Sequence, residues 1–201
     1  KIFEIIREIN LRFITENKDY SKPIEITIND VKNYFEKKPT ILITKISETP
    51  RIGLINGLFA TSSGIGGITI IEAFKTQSDS KLSLEITGQQ GDVMKESIKC
   101  AKTVAWNVIP NSIKNKIQSD WKDNGPFGLH IHCPEAATPK DGPSAGTAIT
   151  IAIISLLTNT KILNNVALTG EIDLNGSVHQ IGGLDLKIVG GKFAGVKKIL
   201  I

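Results

Sequence analysis

The amino-acid sequence predicts a mixed α/β domain preceded by a short helical segment. Three observations carry this. From Arg51 onward, strand-like runs are separated by Gly, Ser and Asp clusters. Runs with apolar residues at helical intervals are interspersed among them, at 92–108, 148–157 and 184–194. The first forty or so residues read as helix, strand and helix, too few to bury a core alone.

Residues 1–16 (KIFEIIREINLRFITE) place Ile2, Ile5, Ile6, Ile9 and Phe13 along one face of an amphipathic helix. A polar turn over 18–23 leads to a short strand, IEIT, and then to a helix, NDVKNYFEKK, capped by Asn29 or Asp30. Residues 38–50 read as a linker, which divides the chain into segments 1–45 and 46–201. RIGLINGLFAT, GGITIIEAF and KLSLEIT follow as strands. Asp92 is the expected cap of a helix whose apolar face carries Met94, Ile98, Ala101, Ala105 and Val108. No element is assigned between Val108 and Gly128. GLHIHC alternates, with Leu129, Ile131 and Cys133 on one face and His130 and His132 on the other, as in a half-buried strand. An apolar helix from Ala148 to Leu157 comes next, then the strand NVALTG and the hairpin EIDLNGSVHQ, turned on Asn175-Gly176. A short helix, Leu184 to Ala194, and a final strand, VKKILI, end the chain. The opening Lys1 and the strand cut off at Ile201 read as the ends of a fragment.

Composition narrows the function classes. The chain has 201 residues, is 40% hydrophobic and 22% charged, and carries a net charge of +4, ordinary for a globular protein. The positive excess is mostly lysine without interleaved aromatics, so it makes no nucleic-acid footprint by itself. Cys100 and Cys133 stand in apolar contexts at no metal spacing, which fits small core hydrophobes in a reducing compartment. No apolar run reaches transmembrane length and no signal peptide opens the chain.

The densest motif is TPKDGPSAGTA, residues 138–148, where Ser144 sits between glycines at the mouth of a helix. A lone serine there is most often an N-cap. Gly142 and Gly146 let backbone approach a ligand closely, and a helix start suits a developing oxyanion, so Ser144 also fits a nucleophile. A nucleophile needs a base. GPSAG has the G-x-S-x-G form, with Asp173 and His179 following in hydrolase order. With a two-residue Asn175-Gly176 turn, however, Asp173 is expected opposite Val178, and His179 on the other face of the hairpin. Lysine is the alternative, provided burial lowers its pKa. Lys187 stands out because Gly190, Gly191 and Ala194 share its helix face, so it can be pressed against a neighbouring element. Those glycines cost about 1 kcal/mol each against alanine, which something should offset.

PEAATPKDGPSAG (residues 134–146), LTGEIDLNGSV (168–178) and IGGLDLK (181–187) resemble the proteolytic domain of the Lon family of ATP-dependent proteases. GLINGLFAT, ITIIEAF and TGQQGDVMKES extend the resemblance upstream to about residue 51, and residues 1–40 resemble the end of the small helical subdomain of the Lon ATPase module. The resemblance implies the Lon proteolytic-domain fold, similar to the ribosomal protein S5 domain 2-like fold. It implies a Ser–Lys dyad, with Ser144 as nucleophile, Lys187 as general base and Thr169 orienting the lysine. Glu72, Asp141, His132 and Glu171 match further positions around the family site; the Asp141 match can turn toward the dyad in resting forms. The resemblance further implies hydrolysis of unfolded protein substrates, assembly into a six-fold ring, and ATP with Mg²⁺ at an upstream module. This chain has no P-loop and is expected to hold no cofactor or metal of its own. The charge leaves room only for weak nucleic-acid contact by the full-length protein. Bacterial cytoplasm and mitochondrial matrix both suit such a chain.

Departures from the family pattern bear on substrate preference. Ala136 stands where glycine is usual, FATSSGIGG lacks a tryptophan and is longer, Gln180 replaces a proline, and Leu186 precedes Lys187 where glutamate is usual. Three other signals are set aside. His130, His132 and His179 could form a zinc set only if the fold joined them. Ser78 to Lys81 matches S-x-x-K in a polar turn without companion motifs. GIGG at 64–67 lacks dinucleotide-binding spacing. Two function classes remain, a working serine peptidase and a Lon-like assembly or binding domain.

Overall fold

The computed structural model describes residues 2–16, 23, 25–36, 44–134 and 140–201. The chain forms two compact units, Lys1–Leu42 and Ile43–Ile201. In the first, helix α1 (Ile2–Thr15) and helix α2 (Ile28–Glu36) bury Ile9 and Tyr34. The expected strand before α2 is absent over residues 25–27, while Ile24 lies outside the described residues. Thr27 caps α2 in place of the expected Asn29 or Asp30: its Oγ1 accepts the Asp30 N–H at 3.2 Å, and Asp30 Oδ2 accepts the Thr27 N–H at 3.0 Å. A β-branched threonine reads as strand in sequence, yet its hydroxyl serves a cap better. Thr27 and Arg12 together hold the Asp30 carboxyl well below the usual carboxylate range.

The second unit is built on a six-stranded sheet. Its strands are β1 (Leu54–Ala60), β2 (Gly66–Gln77), β3 (Leu84–Thr87), β4 (Phe127–His132), β5 (Val166–Leu168) and β8 (Lys198–Leu200), in the order β3-β4-β2-β1-β5-β8. The β1–β2 and β2–β4 pairs are antiparallel; the β3–β4, β1–β5 and β5–β8 pairs are parallel. A separate two-stranded hairpin joins β6 (Glu171–Ile172) to β7 (Val178–His179).

Alternation along the strands sends one set of side chains to each face. Ile55, Ile71, Ala73, Leu129, Ile131 and Cys133 form the main core with helix α3 (Asp92–Val108) and helix α5 (Gly146–Thr158). Leu58, Ile68 and Ala167 point the other way and pack on Ala194 of helix α6 (Leu184–Ala194). Residues 44–50 do not form a free linker. Ile46 joins that second cluster and its N–H donates to Ala194 O at 3.1 Å.

Helix α4 (Asn111–Asn124) has no counterpart in the sequence reading. It buries only Ile117 and Trp121, with Ile113 partly covered, and Trp121 stacks on Trp106 of α3 at 5.5 Å. Three apolar side chains one turn apart on an otherwise polar helix leave a narrow stripe. No helix among the described residues is long and apolar enough to cross a membrane. Ile131 is fully buried. Ile131→Ala is expected to lower the unfolding free energy by about 2–5 kcal/mol, read from urea denaturation.

Candidate active site

Ser144 lies in a 3₁₀ turn, Pro143–Ala145, that runs directly into α5. It does not cap that helix: Ala145 holds the cap position, and no side-chain capping bond forms. The turn is instead fastened from two sides. Upstream, the Lys140 N–H donates to Gln89 O at 3.1 Å and the Gly91 N–H donates to Lys140 O at 2.7 Å. Asp141 Oδ1 then accepts the Met94 N–H and the Gly142 N–H, both at 2.9 Å. Met94 is the third residue of α3, so Asp141 supplies from a distant loop the cap expected of Asp92. Gly91 holds the N-cap position, and a Cβ there would lie 2.4 Å from Asp141 Cγ. The side chain of Asp141 is thus occupied at the start of α3.

Downstream, Ser144 O accepts the Gly170 N–H at 2.8 Å and the Thr169 hydroxyl at 3.3 Å. Gly170 O in return accepts the Thr147 N–H at 3.1 Å and the Thr147 hydroxyl at 2.9 Å. The serine turn and the segment after β5 are therefore bound to one another in both directions.

Lys187 is 4% exposed, and its Nζ donates to Thr169 Oγ1 at 3.1 Å. Burial lowers its pKa below the ordinary lysine value. Among the described residues no carboxylate pairs with it. The small residues on its helix face explain the burial. A Cβ on Gly190 would lie 2.1 Å from Gly66 C, and one on Gly66 would lie 1.9 Å from Leu186 O. Helix α6 and the start of β2 meet backbone to backbone, which only glycine permits. Phe59 covers the neighbouring Gly67 across the ladder, its ring 2.7 Å from where a Cβ would stand.

Ser144 stands where two clefts join. One is lined by Leu58, Thr69, Met94, Lys140 and Ala145; the other by Pro143, Glu171, residues 180–183, Leu186 and Lys187. Phe59, Ala60, Thr61 and Asp141 wall both. Of the expected site residues, Ser144, Lys187, Asp141 and Glu171 thus share one cleft, and Thr169 lies beneath it.

Glu72 and His132 line neither cleft. They face each other across β2 and β4, and Glu72 sits opposite Leu54, at the far end of β1 from Ala60. His132 Nδ1 and His130 Nε2 lie 2.6 and 2.8 Å from Thr87 Oγ1. Ala136 lies outside the described residues. The cleft walls Phe59, Ala60, Thr61 and Met94 were not anticipated as site residues; only the end of a strand and an apolar helix position marked them.

The hairpin register differs from expectation. Glu171 pairs with His179 and Ile172 with Val178, so Asp173 faces Ser177 and not Val178. Three residues, Leu174, Asn175 and Gly176, lie between, and the Asp173 N–H donates to Ser177 O at 3.1 Å. The longer loop brings Asp173 and His179 to the same face, where His179 Nε2 lies 3.0 Å from Asp173 Oδ2. The two do share a hydrogen bond, but His179 lines neither cleft. No group of three His, Cys, Asp or Glu among the described residues could hold a metal ion. Cys133 is fully buried, its thiol pushed up to about 11 by that burial.

The family model for the Lon protease (S16) C-terminal proteolytic domain matches residues 25–201. The chain is 47% identical over 190 residues to a Lon protease homolog of Acanthamoeba polyphaga mimivirus, covering 92% of the chain and 18% of that protein. It is 39% identical over 214 residues to the Lon protease of Campylobacter concisus, covering all of the chain and 26% of that protein. With the Lon protease of Clostridium acetobutylicum it shares 38% over 201 residues, again across the whole chain and 24% of the relative. The chain thus spans about a quarter or less of these relatives.

Alanine at position 190 pits two effects against each other. Its helix propensity favours α6 by about 1 kcal/mol. Its Cβ collides with backbone that has no rotamer to escape into. Gly190→Ala is expected to lower the melting temperature, measured by thermal denaturation.

Proposed function

The chain belongs to the Lon protease family, and on that premise we propose that it is the serine endopeptidase module of an ATP-dependent protease, with Ser144 as nucleophile and Lys187 as general base. The observation that carries this reading is the buried Lys187, without a carboxylate partner among the described residues, in the cleft that also holds Ser144.

The hydrogen bonds give the amine a direction. Thr169 donates its hydroxyl proton to Ser144 O, so its oxygen is left to accept from Lys187 Nζ. A neutral amine that donates there keeps its lone pair for the serine hydroxyl. Lys187 takes that proton as Ser144 Oγ attacks the substrate carbonyl. The oxyanion draws on backbone N–H groups around the 3₁₀ turn and the start of α5. Collapse of the tetrahedral intermediate breaks the C–N bond, and Lys187 returns the proton to the leaving amine. A water activated by the same lysine then clears the acyl-enzyme.

Unfolded protein chains are the proposed substrates, and Glu171 together with residues 180–183 forms the wall they pass. ATP and Mg²⁺ would act at a module that the longer relatives have room for, and a homohexameric ring would enclose the sites. A reducing compartment, cytoplasm or mitochondrial matrix, suits the free Cys100 and Cys133.

Ser144→Ala and Lys187→Ala in the full-length protein, with ATP, Mg²⁺ and an unfolded protein substrate, are each expected to abolish cleavage while assembly persists. Cleavage by Ser144→Ala at the wild-type rate would sink the assignment. The pH dependence is set by the lowered lysine pKa. Below it Lys187 is protonated and cannot accept a proton, so kcat/KM should rise with pH through that pKa and level off above it. The midpoint, measured with a fluorogenic peptide, is expected below the ordinary lysine value of about 10.4.

A further inference from the structure

The Asp173–His179 pair has no part in the proposed chemistry, but it stands where the hairpin enters the cleft. The β6–β7 ladder holds only the pairs Glu171–His179 and Ile172–Val178. So short a ladder has little stability of its own. The Asp173 carboxylate adds what the ladder lacks. Its Oδ1 accepts the Asn175 and Ser177 N–H groups, each at 2.9 Å, which ties the turn. Its Oδ2 reaches past the turn to His179 Nε2 at 3.0 Å, which ties down the outgoing strand.

Beyond His179 the chain becomes the cleft wall. Gln180, Ile181, Gly182 and Gly183 line the Lys187 side, and Glu171, paired with His179, lines the same cleft. Gly183 then begins α6 in a left-handed conformation. We propose that Asp173 and His179 form a latch that positions residues 180–183 against the substrate, making them positioning residues for binding. The inference rests on the peptidase reading only in taking this cleft as the substrate site. Lys187 has its own anchors in Thr169 and in the Gly190–Gly66 contact, so the latch acts on the wall and not on the base. The hydrogen bond to His179 is also what chiefly holds the Asp173 carboxyl below its usual range. Of the other elements packed on β6, α3 brings the Cys100 thiol, which donates to Ile172 O at 3.3 Å, while the 3₁₀ turn and α5 carry no titratable group.

The test compares wild type, His179→Leu and His179→Gln in the full-length protein. The readouts are peptidase kinetics on a fluorogenic peptide and hydrogen exchange of residues 180–183. His179→Leu is expected to raise KM about two- to fivefold, the range of an exposed charge-assisted pair, with kcat within about twofold. Exchange should quicken at 180–183 and stay unchanged in α6. His179→Gln, which keeps an N–H donor, should restore both. Unchanged exchange in His179→Leu, exchange rising across the whole chain, a fall in kcat at constant KM, or glutamine behaving as leucine would each overturn the latch. An inert wild type would overturn the peptidase reading instead, and the exchange comparison would still decide the latch.

Discussion

The site depends on how closely one helix lies on one strand. Helix α6 has no side chain between its backbone and that of β2 where Gly190 meets Gly66. Any larger residue would lift the helix, and Lys187, one turn earlier on the same face, would rise toward water with it. Burial lowers the pKa of this lysine, so the contact of two glycines bears on how readily the amine loses its proton. The helix carries two glycines at a cost in propensity, and close packing together with the buried bond to Thr169 offsets it.

The partners of Lys187 come from the other layer of the molecule. Ser144 belongs to the turn that packs among α3 and α5, on one face of the sheet; α6 covers the opposite face. A serine and a lysine carried on opposite layers can meet only at the rim. Thr169 and Gly170, leaving β5, make that meeting: the same two residues bond the serine turn, and Thr169 also bonds the lysine. The parallel pairing of β5 between β1 and β8 fixes where that segment emerges.

Much of this was legible in sequence, and the exceptions have a common cause. Lys187 could be singled out because a bare helix face at i+3, i+4 and i+7 is visible in the chain itself. Strands with clean alternation, such as GLHIHC, read correctly for the same reason: period and burial are local properties. The failures were relational. Capping of α3 by Asp141, which lies beyond β4, has no local signal. Helix α4 shows only a thin apolar stripe, Ile113, Ile117 and Trp121, the last stacked on Trp106 of α3. Glu72 and His132 matched a family pattern, but which residues line a cleft is decided by the sheet, which pairs these two across β2 and β4, and they line neither cleft.

The hairpin gives the sharpest case. Asn-Gly is the strongest two-residue turn signal, and taking it at face value separated Asp173 from His179. The actual turn is longer by one residue because the Asp173 carboxylate competes for the backbone, accepting the N–H groups of both Asn175 and Ser177. One extra loop residue shifts the register, and a shift of one exchanges the faces. The side chain that lengthened the turn is also the one that the new register brings to His179. Turn and latch therefore come from one carboxylate, and the pair is coupled to the cleft because the strand it fastens continues into the wall beside Lys187.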